Sequence, residues 1–158
     1  METINYILLS VVSYIGLFCG VVLAFIAPEE QRPGRNYFLF AQKILLGTIV
    51  MVLLTLNPNI YTLAISVILL TMIFFRNLNN YVAYFLFVPA LYLSINNTPL
   101  ILIVSTQVFL YGMLTGTLIV QPKKLNEAVK SCLRFAYYPL ILFFIFILPL
   151  VSSYFKIS

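Results

Sequence analysis

Apolar stretches close to twenty residues long recur along the chain, and the first runs from Asn5 to Ile26 without a charged side chain. Such a run matches the roughly 30 Å hydrocarbon layer of a bilayer, since a helix rises about 1.5 Å per residue. Of the 158 residues, 63% are hydrophobic and only 8% are charged. A soluble domain of this size needs far more polar surface to cover its core. The apolar residues must face lipid, so the chain reads as an integral membrane protein. Met1-Glu2-Thr3 carries no Lys or Arg, and no small-x-small cleavage site follows the first run. That run is therefore expected to be a retained spanning helix and not a signal peptide.

The expected fold is all-α: one polytopic helix bundle over residues 1–158, with no soluble domain. Six spans are predicted, at about 5–26, 37–56, 60–75, 81–95, 100–120 and 135–155. Asn57-Pro58-Asn59 and Asn96-Asn97-Thr98-Pro99 supply the turn-forming residues between the second and third spans and between the fourth and fifth. Eight of the nine basic residues lie in or beside the first, third and fifth connections, Lys156 being the exception. The positive-inside rule then places 27–36, 76–80 and 121–134 in the cytoplasm and both termini outside, in a multi-pass protein of the cell membrane. Lys43 falls inside the second span. Its side chain leans toward the helix N-terminus and can snorkel back to the cytoplasmic interface.

The third and fourth spans are short. They can cross a locally thinned bilayer with Arg76 at the interface, or form a re-entrant hairpin with 76–80 at its tip; charge parity is the same for both. Inverted three-helix halves would suggest a transporter, and the two halves of this chain show no residue-level similarity.

Four of the six glycines form two GxxxG patterns. Gly16 and Gly20 lie in the first span and continue to Ala24 at the same spacing. Gly112 and Gly116 lie in the fifth, with Ser105 two turns earlier. Small residues four apart open a groove that lets another backbone approach closely, the main source of helix association in lipid. These faces are expected to pack on neighbouring helices, each other among them, with a homo-oligomer interface as the alternative.

The most distinctive polar segment is Ala27-Pro28-Glu29-Glu30-Gln31-Arg32-Pro33-Gly34-Arg35-Asn36. Pro28 with acidic neighbours is a helix start, and Pro33-Gly34 is expected to break that helix at once. One tight interfacial turn should result, with Glu29 or Glu30 paired to Arg35, Lys43 or the basic fifth connection. Ile26-Ala27-Pro28-Glu29-Glu30, followed by Gly34-Arg35 and Tyr37-Phe38, resembles a segment after the first helix of small, uncharacterised archaeal membrane proteins. The resemblance covers about a dozen residues and implies a source, with no activity attached.

From Pro122 to Arg134 the sequence reads as an amphipathic helix leading into the sixth span. Leu125, Ala128, Val129 and Cys132 recur at helical spacing, with Lys123, Lys124, Glu127, Lys130 and Arg134 on the other side. Such a segment lies in the headgroup plane, where each basic residue gains on the order of 1 kcal/mol from anionic lipid. Partners are expected to be membrane lipids, anionic headgroups among them, and other membrane proteins or a second copy; these few surface-bound charges give a nucleic-acid role no support. Inside the spans Gln107 is read as the only amide well within a helix, one turn from Tyr111, and Pro89, Pro139 and Pro149 are expected to kink the fourth and sixth helices.

The chain contains no His and no Asp, and no Glu within a span. Zinc hydrolysis, aspartyl dyads and carboxylate-coupled pumping lack their residues. Cys19 and Cys132 are too few for a metal site without helpers, so no metal or cofactor is expected. The expectation is a non-catalytic scaffold or accessory subunit. Its alternative is a facilitator for a small apolar or weakly polar solute, with Gln107 and Tyr111 lining the path.

Overall fold

Backbone N–H and C=O groups in lipid must find partners within the chain, and a helix satisfies them locally. A computed structural model describes residues 3–74 and 80–120, together with single helical positions at Glu127, Lys130, Leu133, Tyr137 and Ile141. Among the described residues there are five helices and no strand: α1 (Thr3–Ile26), α2 (Pro28–Leu56), α3 (Ile60–Phe74), α4 (Asn80–Leu93) and α5 (Thr98–Val120). Three are long and apolar enough to cross a membrane, over Ile7–Ile26, Pro33–Leu56 and Thr98–Ile119; the apolar parts of α3 and α4 are shorter. The expected sixth span, with Lys123, Lys124 and Arg134 before it and Pro139 and Pro149 in it, lies outside the described residues apart from the single positions above. So does Arg76.

Capping explains the sharp boundaries around the two Asn-rich connections. Asn97 accepts a hydrogen bond from the Leu100 N–H through Oδ1 at 3.2 Å, which meets one of the orphan donors at the start of α5. At the start of α3, Thr62 Oγ1 accepts from the Asn59 N–H at 2.9 Å and sits 2.6 Å from the Asn57 carbonyl. Asn57 in turn donates from Nδ2 to the Leu93 carbonyl at 2.9 Å, which ties the two connections together at one end of the bundle.

The first connection differs from expectation. No break occurs at Pro33-Gly34; Ala27 alone separates α1 from α2, and α2 runs unbroken from Pro28. Pro28 occupies the opening position, where a missing N–H costs nothing. Pro33 removes only the bond to the Glu29 carbonyl, near the helix start, where water can replace it, while Glu29-Glu30-Gln31-Arg32 are good helix formers. At 29 residues α2 is about 43 Å long, well over the roughly 30 Å hydrocarbon layer, so its charged opening turns need not enter lipid. Glu29 and Arg35, one of the pairings expected across a turn, instead stand about 9 Å apart along the axis. Both are exposed. α4 continues on both sides of Pro89.

α5 is the hub. It packs most extensively on α1, then on α2 and α4, while α3 bridges α2 and α4. Gly16 of α1 faces Phe109 and Gly20 faces Met113, so the two helices run parallel. Gln42 meets Thr115 near one end, and Asn97 approaches the Leu56 carbonyl at the other, so α2 runs antiparallel to α5. The interior is filled by Leu17, Leu46, Ile49, Leu53, Leu69 and Leu91. Large apolar side chains such as Leu8, Ile26, Phe40, Met51 and Ile60 point outward. Exposed Thr48, Thr55, Thr71 and Thr106 bond back to carbonyls of their own helices, so none presents an unmet hydroxyl donor to an apolar surrounding.

Candidate functional site

Among the described helices, α1 and α5 make the closest seam. A Cβ at Gly16 would lie 2.9 Å from the Phe109 carbonyl carbon, and one at Gly20 would lie 2.7 Å from that of Met113. Across the seam, a Cβ at Gly112 would lie 2.9 Å from the Leu17 nitrogen, and one at Gly116 would lie 2.8 Å from the Val21 nitrogen. Each neighbour is backbone, which cannot turn aside as a side chain can. The structure thus brings all four GxxxG glycines into one interface, each helix seated on the bare face of the other. Ala24, one turn beyond Gly20, is buried at one end of the seam, and Ser105 is buried toward the other, its hydroxyl bonded to the Leu102 carbonyl at 3.0 Å.

An aromatic cluster sits behind this seam. The ring of Tyr111 lies edge-on to Phe87 at 5.1 Å and to Tyr84 at 5.9 Å, and Tyr14 lies 6.0 Å from Tyr84. These separations are typical of attractive, edge-biased aromatic packing. Tyr84 also uses the missing side chain of Gly112: a Cβ there would come within 3.1 Å of its Oη. Tyr111, expected as a solute contact, is fully buried among these rings.

No family model, curated protein or solved structure matches this chain. Its site must be read from its own atoms.

Polarity inside the bundle centres on a residue that sequence reasoning passed over. Gln42, at 0% exposure, donates from Nε2 to Thr115 Oγ1 at 2.8 Å, and Thr115 donates to the Tyr111 carbonyl at 2.8 Å. The bond joins α2 to α5, so Gln107 is not the sole amide deep in a helix. Gln42 Oε1 is enclosed without a hydrogen-bond partner. Turning the amide over would exchange an unmet acceptor for unmet donors. Gln107 is half-buried, and its Oε1 is likewise enclosed without a partner. The signal for Gln42 was its spacing with Leu46, Ile49 and Leu53, which places it on the buried stripe of α2.

Among the described residues, two shallow grooves flank the seam. One, of about 210 Å³, is lined by Leu23 and Ala24 of α1, the connecting Ala27, Phe38 of α2, and Met113 and Thr117 of α5. The other, of about 220 Å³, lies at the opposite end of the same helices, around Leu9, Ser13, Leu102 and Phe109. Neither is lined by Gln107 or Tyr111.

Of the charged positions singled out in the sequence, Glu29, Arg35 and Lys130 are exposed and Lys43 is half-buried. Glu30 and Arg32 are helical in backbone, but their side chains lie outside what the structure describes. Among the described residues, no three His, Cys, Asp or Glu side chains gather as metal ligands would.

Proposed function

We propose that this chain is a non-catalytic scaffold or accessory subunit of the cell membrane, held rigid by the α1–α5 seam and contacting lipid or other membrane proteins through its outer faces. It crosses the bilayer six times, with α3 and α4 spanning a locally thinned region and a sixth helix over about 135–155. Both termini lie outside, and the end that carries Glu29 and Arg35 faces the cytoplasm. The parallel course of α1 and α5, with α2 antiparallel to them, supports this parity.

The observation that carries the scaffold reading is the filled interior: the Tyr14, Tyr84, Phe87 and Tyr111 rings occupy the space where a solute path would run. Both grooves open on the flanks of the seam and not through it. One observation favours the competing reading, a facilitator for a small weakly polar solute. Two enclosed amide oxygens, on Gln42 and Gln107, have no partner, and a passing donor would satisfy either.

Flux in proteoliposomes separates the two. Vesicles containing the protein should exchange glycerol and urea no faster than protein-free vesicles of the same lipid. Entry that rises in proportion to protein content, and falls when Gln107 is replaced by leucine, would replace the scaffold with a facilitator.

A further inference from the structure

The groove between the Ala27 end of α1 and the Thr117 end of α5 combines three features that its counterpart at the other end lacks together. First, its walls are apolar, and its one hydroxyl, on Thr117, is already bonded to the Leu114 carbonyl at 2.7 Å. No unmet donor or acceptor there asks for a polar solute. Second, at about 210 Å³ and open along one side, it is smaller than the roughly 300–1,000 Å³ of an enclosed small-molecule pocket. It suits part of a chain lying alongside the helices. Third, helical spacing puts a cation one turn from its α2 wall. Arg35 lies one turn before Phe38, and positions three apart are neighbours on a helix surface. Arg35 is exposed, and helical side chains lean toward the N-terminus, here the charged end of α2.

The wall on the α2 side is placed by another glycine. The Phe38 ring lies back over Gly34, where a Cβ would come within 3.2 Å of it. The groove at the other end has hydroxyls on Ser13, Ser105 and Thr106, each bonded to its own helix, and no Lys or Arg within one helical turn of any of its lining residues.

We propose that this groove holds one acyl chain of an anionic phospholipid whose phosphate pairs with Arg35. Guanidinium fits phosphate with two parallel N–H donors, and a headgroup of net negative charge is favoured over a zwitterionic one, whose own cation offsets the same phosphate. The chain contributes apolar contact along two helical turns, and the headgroup contributes the selectivity. The proposal rests on the reading of this chain as membrane-embedded, with the Arg35 end at a leaflet surface.

The sequence contains no Trp, so Phe38→Trp supplies a single reporter inside the groove. The full chain is placed in vesicles of mixed phosphatidylglycerol and phosphatidylcholine, with brominated chains on one lipid or the other while the bulk composition stays fixed. Bromine on phosphatidylglycerol should report about fivefold higher occupancy beside the introduced indole than bromine on phosphatidylcholine, the factor expected for one basic residue at an anionic headgroup. Arg35→Gln should bring that ratio close to one. Leu102→Trp, at the other groove, should give a ratio near one with or without Arg35. Met113→Trp reports from the opposite wall if Phe38→Trp fails to fold. Strong quenching by both lipids with a ratio near one, or a preference that survives Arg35→Gln, overturns the lipid site and leaves the scaffold reading intact. Absence of quenching by either lipid sinks both, because the groove would then lie outside the bilayer.

Discussion

Alanine at Gly20 would place a methyl group 2.7 Å from the Met113 carbonyl carbon and 2.8 Å from its Cα. Carbon atoms settle at about 3.5–4.0 Å, so the two helices must part by about 1 Å. Such a gap forfeits roughly a quarter to a half of the dispersion energy of each facing pair, along the whole seam. Lipid offers no hydrophobic drive to compensate. Overpacking of this kind costs about 1–3 kcal/mol, and the rigidity of the opposing backbone places Gly20→Ala and Gly116→Ala toward the upper part of that range. Gly47 is the internal control: a Cβ there meets only Ile73 Cδ1, at 4.0 Å. Gly47→Ala should therefore stabilise α2 by about 0.5–1 kcal/mol through helix propensity alone. Gly34→Ala should fall near zero, because its neighbour is the movable Phe38 ring at 3.2 Å. Unfolding followed by circular dichroism in mixed detergent and SDS gives the four values on one scale. The reasoning is refuted if Gly20→Ala proves as well tolerated as Gly47→Ala.

The polar link between α2 and α5 predicts an asymmetry. Thr115→Val strands the whole buried Gln42 amide and should cost about 1–2 kcal/mol, whereas Gln42→Leu removes the stranded oxygen along with the bond and should cost less than about 1 kcal/mol. The same SDS titration checks the order, and a larger loss for Gln42→Leu contradicts it. Asn97→Ala removes the α5 cap and should cost about 1 kcal/mol, read as a lower unfolding midpoint, while Asn96→Ala, on an exposed turn position, should change it little.

Much of the helix layout was legible from the lengths of the apolar runs and the Asn-Pro turns: the bounds expected for the first, third and fifth spans lie within a few residues of α1, α3 and α5. The start of α2 was not, because Pro33-Gly34 normally ends a helix and the tolerance of a proline near the N-terminal end depends on what surrounds the freed carbonyl. The interior was harder to read. In a soluble bundle the polar face marks the outside, but here the outward face is also apolar, so periodicity does not separate core from lipid. Tyr14, Tyr84 and Phe87 could not be told from lipid-facing aromatics by spacing. Gln42 was overshadowed by the neighbouring charge of Lys43, although a lone amide among Leu and Ile is the stronger sign of an interior position. The glycines of α1 and α5 stood out by spacing, but only the packing shows which face meets which.

The central claim is a closed bundle whose deep polar residues are sealed from water. It is tested most directly by single cysteines at positions 35, 96 and 107, introduced into a chain lacking Cys19 and Cys132 and probed in intact membranes with an impermeant thiol reagent. Position 35 should label only from the cytoplasmic side and position 96 only from the opposite side, with position 107 silent from both. Labelling at 107 would mean that water reaches the core and would contradict the closed scaffold; labelling of 35 and 96 from the same side would contradict the topology.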